Sequence, residues 1–432
     1  MKKVAFHTLG CKVNQYETQA MAEMFIQAGY EIVDFEEPSD VYVINTCTVT
    51  SFGDKKSRQI IRRANRINPK AIIAVTGCYA QISPKEASEI EGVSVVVGTK
   101  SRNKIVELVE EAFEGKKQSV VSNIMHQKDF EENGFISYSE NTRAFIKIQE
   151  GCQDFCSYCI IPYARGPVRS RLPENIVKEV NKLADNGFKE IVLTGININS
   201  YGKDIEGVNL IELIEKITKI DDIKRIRLGS INPDRITKDF IDVIKKNKKM
   251  CPHFHISLQS GSDSVLKRMN RKYSVSNFEG RINLLRENIP DVSITTDIMV
   301  GFPGETQEEF EETYNFLNKI SLTRMHVFKY SPRKGTPAAS FENQISPCEK
   351  ENRSNALLDL SEKKEKDFYI KFLSKQMEVF FEQEHSAKEG LIEGHTGNFI
   401  KVVAKAPKEL VGTFENITIE AVDKGFVIGR IR

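Results

Sequence analysis

The stretch GCQDFCSYCIIPYARGP, residues 151–167, sets three cysteines close together: Cys152, Cys156 and Cys159. Aromatic residues stand beside them, and an arginine follows shortly after. The stretch continues directly from the apolar run AFIKIQ, residues 144–149, which predicts a strand. Three cysteines at a strand end place their thiols where the ligands of an open parallel α/β fold bind.

Three kinds of chemistry could use this spacing. Cysteines four and then three positions apart could form one buried helix face, but Gln153, Asp154 and Ser157 make that face poorly apolar. A structural zinc ion normally takes four Cys or His ligands, and no fourth stands nearby. The pattern therefore favours a [4Fe-4S] cluster held by three thiolates, which leaves one iron open to a small molecule.

Upstream, apolar runs alternate with amphipathic segments. Strands are predicted at 3–8, 41–46, 71–76 and 93–98, with helices around 14–28, 54–67, 84–90 and 101–113. Apolar strands separated by helices are typical of a doubly wound parallel sheet. Three further cysteines, Cys11, Cys47 and Cys78, come just after three of these strands. Because parallel strands end at the same edge of a sheet, we expect these three thiols to meet.

Downstream, a second alternation predicts a partial parallel (β/α) barrel. Its strands are expected near 144–149, 189–194, 224–228, 253–258, 292–299 and 324–330. Helices are expected at 174–186 and 306–319, the second opened by the capping sequence TQEE. From about residue 370, short strands with Gly, Asn and Asp turns predict a small antiparallel β-barrel. The predicted division is 1–116, a linker at 117–137, a core at 138–369 and the small barrel at 370–432.

Composition is that of an ordinary globular protein of 432 residues, with 40% hydrophobic and 28% charged residues. No apolar run is long enough to cross a bilayer, and the start MKKVAFHTLG is a poor secretory signal. We therefore expect a cytoplasmic protein whose eight cysteines are reduced and available for metal chemistry. Lys and Arg number 62 against 60 for Asp and Glu, so charge is informative only locally.

The cysteine pattern resembles the signature of the radical S-adenosylmethionine enzymes, including aromatic Tyr158 before the third cysteine. The resemblance implies that the open iron binds S-adenosylmethionine and that an electron from the cluster releases a 5′-deoxyadenosyl radical. Cys152, Cys156 and Cys159 would then be the catalytic cluster ligands. Among the polar residues in the strand-end loops, Asn197, Gln259, Asp297 and Glu305 are candidates for the S-adenosylmethionine pocket, with Tyr158 beside them.

With the N-terminal cysteines and the C-terminal barrel, the whole chain resembles the radical S-adenosylmethionine methylthiotransferases. In that family Cys11, Cys47 and Cys78 would hold a second [4Fe-4S] cluster, and the barrel is the RNA-binding TRAM domain. One S-adenosylmethionine would methylate sulfur on the second cluster while another supplies the radical. Both clusters would face one cavity, so the two α/β units should meet through the carboxyl ends of their strands. A reductant such as flavodoxin or ferredoxin would be a partner.

The run CSYCIIPYARGPVRSR, residues 156–171, is most similar to the branch that methylthiolates C2 of N6-threonylcarbamoyladenosine beside the tRNA anticodon. Two alternatives keep the chemistry and change the acceptor, to N6-isopentenyladenosine in tRNA or to an aspartate of a ribosomal protein. An alternative of another class is a non-catalytic iron-sulfur protein that binds RNA.

Local charge is consistent with an RNA partner. The segment KKSRQIIRRANRINPK, residues 55–70, is basic and contains no acid. Further candidates for phosphate contact are Arg165, Arg169, Arg171, Lys267, Arg268, Arg271 and Lys272. Solvated helix faces explain such runs equally well. His253 and His255 face one side of a strand and are predicted to line the barrel rather than bind metal. Cys251 and Cys348 are predicted to be structural.

Overall fold

Residues 3–120 form a six-stranded sheet with the order β2-β1-β3-β4-β5-β6, in which every pairing is parallel. The computed structural model describes residues 1–132, 142–386 and 390–431. The strands are β1 Lys3–Thr8, β2 Glu31–Val33, β3 Val41–Thr46, β4 Ile72–Gly77, β5 Val93–Val97 and β6 Gln118–Val120. The helices are α1 Lys12–Gln27, α2 Ser51–Ile67, α3 Cys78–Ile82, α4 Pro84–Ser88 and α5 Ile105–Phe113.

This sheet carries an apolar cluster on each face. One cluster contains Ile44, Ile61 and Val75, and the other contains Val43 and Val109. The central strands β3 and β4 are buried along their whole length, which explains their continuous apolar sequence. The doubly wound parallel sheet is confirmed.

Two short edge strands are absent from the sequence prediction. β2 pairs with β1, and β6 pairs with β5, although the sequence pattern assigns residues 118–120 to the linker at 117–137. Each edge strand has three residues, too few for a periodic pattern, and its backbone bonds to one neighbour only. Residues 133–137 of that linker lie outside the described ranges.

The central unit is an arc of six parallel strands in the order β7-β9-β10-β11-β12-β13, with β8 antiparallel on the outer edge of β7. Bridges between Ile226 and Met250 and between Ile231 and Ile256 join its two halves. The strands are β7 Arg143–Glu150, β8 Arg169–Ser170, β9 Glu190–Gly195, β10 Arg225–Leu228, β11 His253–His255, β12 Ser293–Val300 and β13 Arg324–Lys329. All six predicted strands are present, and the predicted partial barrel is confirmed.

Eight helices surround this arc. They are α6 Ile161–Arg165, α7 Pro173–Asp185, α8 Leu210–Ile217, α9 Lys238–Lys246, α10 Asp263–Arg268, α11 Val275–Asn288, α12 Gln307–Lys319 and α13 Pro347–Ile370. The predicted cap of α12 is present: the Thr306 side chain accepts from the Glu309 backbone N–H, and the Glu309 carboxylate accepts from that of Thr306.

The C-terminal unit is a closed five-stranded barrel with the order β14-β15-β16-β18-β17. Its strands are β14 Gln376–Glu384, β15 Leu391–Thr396, β16 Lys401–Lys405, β17 Phe414–Asp423 and β18 Phe426–Ile431. The predicted small antiparallel barrel is confirmed, with one parallel pair, β16 and β18, among its five pairings. Antiparallel neighbours alternate in direction. A closed ring of five strands cannot alternate throughout, so it must contain at least one parallel pair.

Arginines of the central unit hold this barrel in place. Arg225 donates to the carbonyl oxygens of His395 and Glu378 at 2.9 and 2.8 Å. Arg227 donates to those of Thr396 and Gly397, both at 2.8 Å. The barrel therefore closes one end of the central arc. Across the described parts of the chain, the helices are all too short or too polar to cross a membrane.

Candidate functional site

The loop after β7 is shaped by residues that bring three thiols together. Gly151 has a φ of +79°, and a Cβ there would lie 1.8 Å from the Pro167 carbonyl oxygen, so only glycine fits. The Cys152 backbone N–H donates to the Gly166 carbonyl oxygen at 3.0 Å, and that of Cys159 to the Cys156 carbonyl oxygen at 2.9 Å. Burial raises the pKa of Cys152 to about 11 and that of Cys159 to about 12, and the nearby Cys156 adds to both shifts.

Two side chains donate hydrogen bonds to these sulfurs. Arg271 Nη1 lies 3.3 Å from Cys156 Sγ, and Asn197 Nδ2 lies 3.6 Å from Cys152 Sγ. Asn197 is also fixed by the Asp154 carboxylate at 3.0 Å. Donors aimed at sulfur stabilise a thiolate, which is the form that binds metal.

The N-terminal cysteines stand at three adjacent strand ends, as predicted. Cys11 caps α1 after β1, Cys47 follows β3 directly, and Cys78 begins α3 after β4. Burial raises the pKa of Cys78 to about 12, and the nearby Cys47 and Cys11 add to that shift. A Cβ on Gly10, whose φ is +107°, would lie 3.2 Å from Cys47 Sγ. The structure therefore brings this trio together.

Arg165 connects the two sets of cysteines. Its Nε donates to Cys78 Sγ at 3.2 Å, and its Nη1 contacts the carboxylates of Glu17 at 2.5 Å and Glu150 at 2.7 Å. Lys147 joins the same two carboxylates at 3.0 and 3.1 Å. Glu150 lies two residues before Cys152, so one buried ion network reaches from the N-terminal trio to the central cysteine loop.

This network corrects one prediction. Arg165, Arg169 and Arg171 are at most 1% exposed, so the expectation that they contact a polyanion is wrong. Arg171 pairs with Glu179, and Arg169 donates to the Arg165 carbonyl oxygen at 3.0 Å. Sequence gives the charge of an arginine but not the position of the carboxylates that bury it.

Among the other basic residues considered for phosphate contact, some are exposed and others are paired within the protein. On α2, Lys55, Arg62 and Arg66 are exposed on one helix face. Further along the chain, Arg268 is paired with Glu309 at 2.6 Å, and Arg271 faces the Cys156 sulfur. Lys267 and Lys272 are exposed. The α2 face, defined here as Lys55, Arg62 and Arg66, therefore keeps the character expected of a polyanion contact.

The two α/β units meet through the carboxyl ends of their strands, as expected. Arg333, beyond β13, donates to Thr48 Oγ1 at 2.7 Å and to the Asp54 carboxylate at 2.6 Å. The hydroxyls of Ser51 and Ser331 lie 2.9 Å apart. Because Thr48 and Ser51 follow β3, each of these contacts joins the strand-end edge of one sheet to that of the other.

Between the units lies a cavity of about 730 Å³, here called the central cavity. Its lining comes from the N-terminal unit at Cys11 and Lys12, from the arc at Thr194 and Asp297, and from the C-terminal barrel at Phe399. Its volume is within the usual range for small-molecule sites, about 300–1,000 Å³. One of the N-terminal cysteines therefore opens on a chamber large enough for a nucleoside.

His253 and His255 line this cavity, which confirms that they face the interior of the barrel. The His253 ring stacks on Phe399 with centroids 4.5 Å apart, and His255 Nε2 lies 3.1 Å from the Asp297 carboxylate. Burial lowers the pKa of His253 well below its usual value, and Arg227 and Lys12 add to the shift.

The residues predicted for the S-adenosylmethionine pocket fall into separate places. Asn197 reaches the cysteine loop, and Asp297 faces the central cavity. Gln259 has a φ of +76°, and its backbone N–H donates to the Asp297 carbonyl oxygen at 2.8 Å. Tyr158 packs against a buried cluster that includes Phe302. A smaller cavity of about 210 Å³ lies beside Cys156 and Asn197.

Three further residues have other surroundings. Glu305 is buried and accepts from Arg353 Nη1 at 2.7 Å and from the Gly301 backbone N–H at 2.6 Å, so it fixes its own loop. Cys251 is buried, consistent with a packing role, whereas Cys348 is exposed at the start of α13.

The donor sets fit iron-sulfur clusters. Each set supplies three thiols, one fewer than the four Cys or His ligands of a structural zinc site. A four-iron cluster offers each thiolate a different iron, so it suits three cysteines that surround a shared space. Arg165 and Arg271 supply the cationic N–H donors that such sulfur-rich sites use.

Sequence reasoning missed several contributors to this site. Asn14 Nδ2 donates to the carbonyl oxygens of Leu9 at 2.7 Å and Thr46 at 3.1 Å, which ties the ends of β1 and β3 together. The sequence predicts phosphate contact for Arg271 and Arg165 and does not single out Lys12. Asn14 and Lys12 share the motif LGCKVNQYE with Cys11, which is the one signal that could have drawn attention to them.

Comparison with known proteins adds two family matches. Residues 146–317 match the radical SAM superfamily, and residues 3–98 match a family described as uncharacterized protein family UPF0004. Among solved structures, the radical S-adenosylmethionine methyltransferase TsrM from Kitasatospora setae superposes with a TM-score of 0.58. It has 16% sequence identity, with 78% of this chain and 77% of that chain covered. At this identity the likeness concerns the fold.

Curated relatives extend over nearly the full chain. The threonylcarbamoyladenosine tRNA methylthiotransferase MtaB of Bacillus subtilis is 46% identical, covering 97% of this chain and 94% of the relative. The protein of the same name from Aquifex aeolicus is 43% identical, covering 94% and 98%. The tRNA-2-methylthio-N(6)-dimethylallyladenosine synthase of Acetivibrio thermocellus is 35% identical, covering 100% and 91%.

Proposed function

Because this chain belongs to the radical S-adenosylmethionine tRNA methylthiotransferases, we propose that it attaches a methylthio group to C2 of N6-threonylcarbamoyladenosine beside the tRNA anticodon. Relatives named for that nucleoside are 46%, 43% and 38% identical to the chain. Relatives named for the dimethylallyl nucleoside stand at 35% and 36%. The order of similarity favours the threonylcarbamoyl acceptor over the isopentenyl one.

The family requires a [4Fe-4S] cluster and S-adenosylmethionine, and we propose Cys152, Cys156 and Cys159 as the ligands of that cluster. The remaining trio, Cys11, Cys47 and Cys78, would hold a second cluster. When bound, these groups supply a carbon radical strong enough to activate an aromatic C–H bond and a sulfur for transfer to it. Acid–base catalysis cannot break such a bond, because C2–H is not acidic.

The chain's own residues would hold and orient these groups. Arg271 and Asn197 donate to the central cysteine sulfurs, and Arg165 donates to Cys78. Tyr158, Asn197, Gln259 and Asp297 are the proposed surroundings of S-adenosylmethionine. The buried network around Arg165 would keep the two sets of cysteines at a fixed separation. The central cavity would exclude bulk water from the acceptor base.

The tRNA would contact more of the chain than this cavity. The α2 face offers exposed cations on the N-terminal unit, and such a face attracts phosphates at long range. The C-terminal barrel is the proposed second RNA contact. We assign residues 1–116 to sulfur delivery, 138–369 to radical formation and 370–432 to RNA binding. A one-electron donor such as flavodoxin or ferredoxin would complete the system.

The observation that carries this proposal is the central cavity, which Cys11 of the N-terminal trio lines. Of the central cysteines, Cys156 lines the smaller cavity on the facing unit, so the expectation that both trios face one cavity stays a prediction. A purely structural cluster needs no such chamber, which disfavours a non-catalytic iron-sulfur protein that binds RNA.

The test uses tRNA from cells with and without the gene, digested to nucleosides and examined by mass spectrometry. We expect 2-methylthio-N6-threonylcarbamoyladenosine to disappear in the deletion strain and to return with the intact gene. Loss of the isopentenyl product instead would assign the other nucleoside. An unchanged profile of both would overturn the tRNA assignment in favour of the ribosomal-protein aspartate.

A further inference from the structure

Lys12 differs from every other cation around the central cavity in its lack of a counterion. It begins α1 directly after Cys11, and its side chain lines the cavity. The other two lining cations are paired: Arg324 lies 3.2 Å from the Glu365 carboxylate, and Lys401 lies 3.0 Å from that of Glu393. Within the three described ranges, Lys12 has no carboxylate partner.

The carboxylates that line the cavity are already engaged. Asp297 is bound by His255 at 3.1 Å, and Glu365 is bound by Arg324 and by the Tyr369 hydroxyl, both at 3.2 Å. Neither is free to turn to Lys12 without leaving another polar group unpaired. Among the described residues, no lining carboxylate is free to pair with Lys12, so a bound ligand is the natural source of an anion.

The charges that act on Lys12 from the protein are repulsive. They come from Arg143 and Arg227, which lie on the first and third strands of the arc. Each of these arginines is satisfied by a carboxylate of its own, Arg143 by Glu382 at 3.0 Å and Arg227 by Glu190 at 2.6 Å. Lys12 is exposed toward the cavity, beside two cations that have carboxylates of their own, so its ammonium is available to an anionic group of a bound ligand.

We propose that Lys12 binds the carboxylate of the threonylcarbamoyl group and thereby selects the acceptor nucleoside. This inference rests on the proposed function. The threonyl group carries a carboxylate, whereas an isopentenyl group is uncharged and apolar. C2 and C6 of adenine are separated by one ring nitrogen, and N6 is attached to C6, so an adenine with C2 beside Cys11 would carry its N6 substituent within reach of the adjacent lysine.

Specificity follows from the same contact. A carboxylate gains a charge-assisted hydrogen bond from Lys12. An isopentenyl group in its place would cover the exposed ammonium with apolar surface and offer it no anion, which disfavours that nucleoside. Lys12 is thus a specificity-determining residue, distinct from the cysteines that would bind iron.

The test compares two anticodon stem-loop RNAs. One carries N6-threonylcarbamoyladenosine with its free carboxylate, and the other carries the methyl ester of the same group. Binding to cluster-reconstituted protein is measured by fluorescence anisotropy. For the native chain we expect the free acid to bind on the order of 10-fold more tightly than the ester.

In Lys12→Gln this preference should fall to about 1-fold, while Lys12→Arg should keep most of it, because it keeps the positive charge. Lys116→Gln is the matched control, since Lys116 is exposed and pairs with Glu114 at 3.0 Å, and it should show the native preference. The preference is a ratio within one variant, so incomplete loading of a variant with iron cancels. A Lys12→Gln protein that discriminates as strongly as the native chain overturns the inference.

The same RNAs separate this inference from the proposed function. A native protein that methylthiolates the free-acid RNA but binds the ester equally well refutes the role of Lys12 alone. A native protein that prefers the acid, loses the preference in Lys12→Gln and forms no methylthio product refutes the proposed reaction while the carboxylate contact stands.

Discussion

The Nε of Arg165 lies 3.2 Å from the Sγ of Cys78, although the two residues belong to different α/β units. The same guanidinium contacts Glu17 on α1 and Glu150 at the end of β7. One side chain thus links a cysteine of the N-terminal trio to the strand that leads into the central cysteine loop. Relative placement of the two trios depends on this buried ion network.

Removal of Arg165 should therefore be costly. In Arg165→Met, the carboxylates of Glu17 and Glu150 lose a buried partner, and we expect a loss of about 3–5 kcal/mol in the free energy of unfolding. Arg63→Met is the control, because Arg63 pairs with Glu36 on the surface and should cost about 0–1 kcal/mol. Urea unfolding of both metal-free proteins measures the difference. Equal losses would show that the network does not stabilise the fold.

Gly77 should be indispensable to the N-terminal trio. Its φ is +94°, and a Cβ there would lie 2.4 Å from the Thr46 carbonyl oxygen, immediately before Cys47. Gly115→Ala is the matched control, since Gly115 has a φ of +85° and nothing within 4 Å. The control should lose about 1–2 kcal/mol from left-handed strain alone. Gly77→Ala should lose more stability and also bind less iron after reconstitution. If both variants retain full iron, the close approach at Gly77 is unimportant.

Arg271 should tune the central cluster. Arg271→Met removes a cation and a hydrogen bond from Cys156 Sγ, so the cluster should become harder to reduce. Cleavage of S-adenosylmethionine should fall by about 10–100-fold, as is usual when an outer partner of a metal ligand is removed. Arg268→Met is the comparison, because Arg268 pairs with Glu309 and not with sulfur. A redox titration followed by electron paramagnetic resonance measures the reduction potential of the cluster in each variant. A native potential in Arg271→Met would contradict this account.

The α2 face should bind tRNA phosphates. Substitution of Lys55, Arg62 and Arg66 by Gln should weaken binding and reduce the slope of log K against log salt by about 3, because each of the three cations neutralises one phosphate. The control replaces Lys2, Lys85 and Lys116, which pair with acids on the same unit. The control variant loses the same three positive charges, but outside the α2 face. Identical slopes for the two triple variants would exclude α2 from the interface.

Much of this architecture was predictable because its strands are long, apolar and bounded by turn residues. Runs such as VYVINT at 41–46 form the fully buried β3, and the cysteine at each strand end follows from the topology. The cap at Thr306 and the inward-facing His253 were likewise predictable, since each depends on local sequence alone.

Contacts between distant segments were not predictable in the same way. Arg165 and Arg171 look like phosphate ligands in a sequence of cations, yet Glu17 and Glu179 neutralise them in the fold. The pairing depends on how two units dock, which no local pattern encodes. Lys12 contrasts with these arginines, because it has no carboxylate partner within the described ranges. Its position also depends on docking, since all three units contribute to the cavity that it lines.

The central claim is that the N-terminal trio delivers the sulfur while the central trio forms the radical. Its most direct test is Cys47→Ala, reconstituted with iron and sulfide under argon and supplied with S-adenosylmethionine, dithionite and threonylcarbamoylated tRNA. We predict about four irons per chain against about eight in the native protein, continued release of 5′-deoxyadenosine, and no methylthio product. Methylthiolation by Cys47→Ala at the native rate would contradict the account.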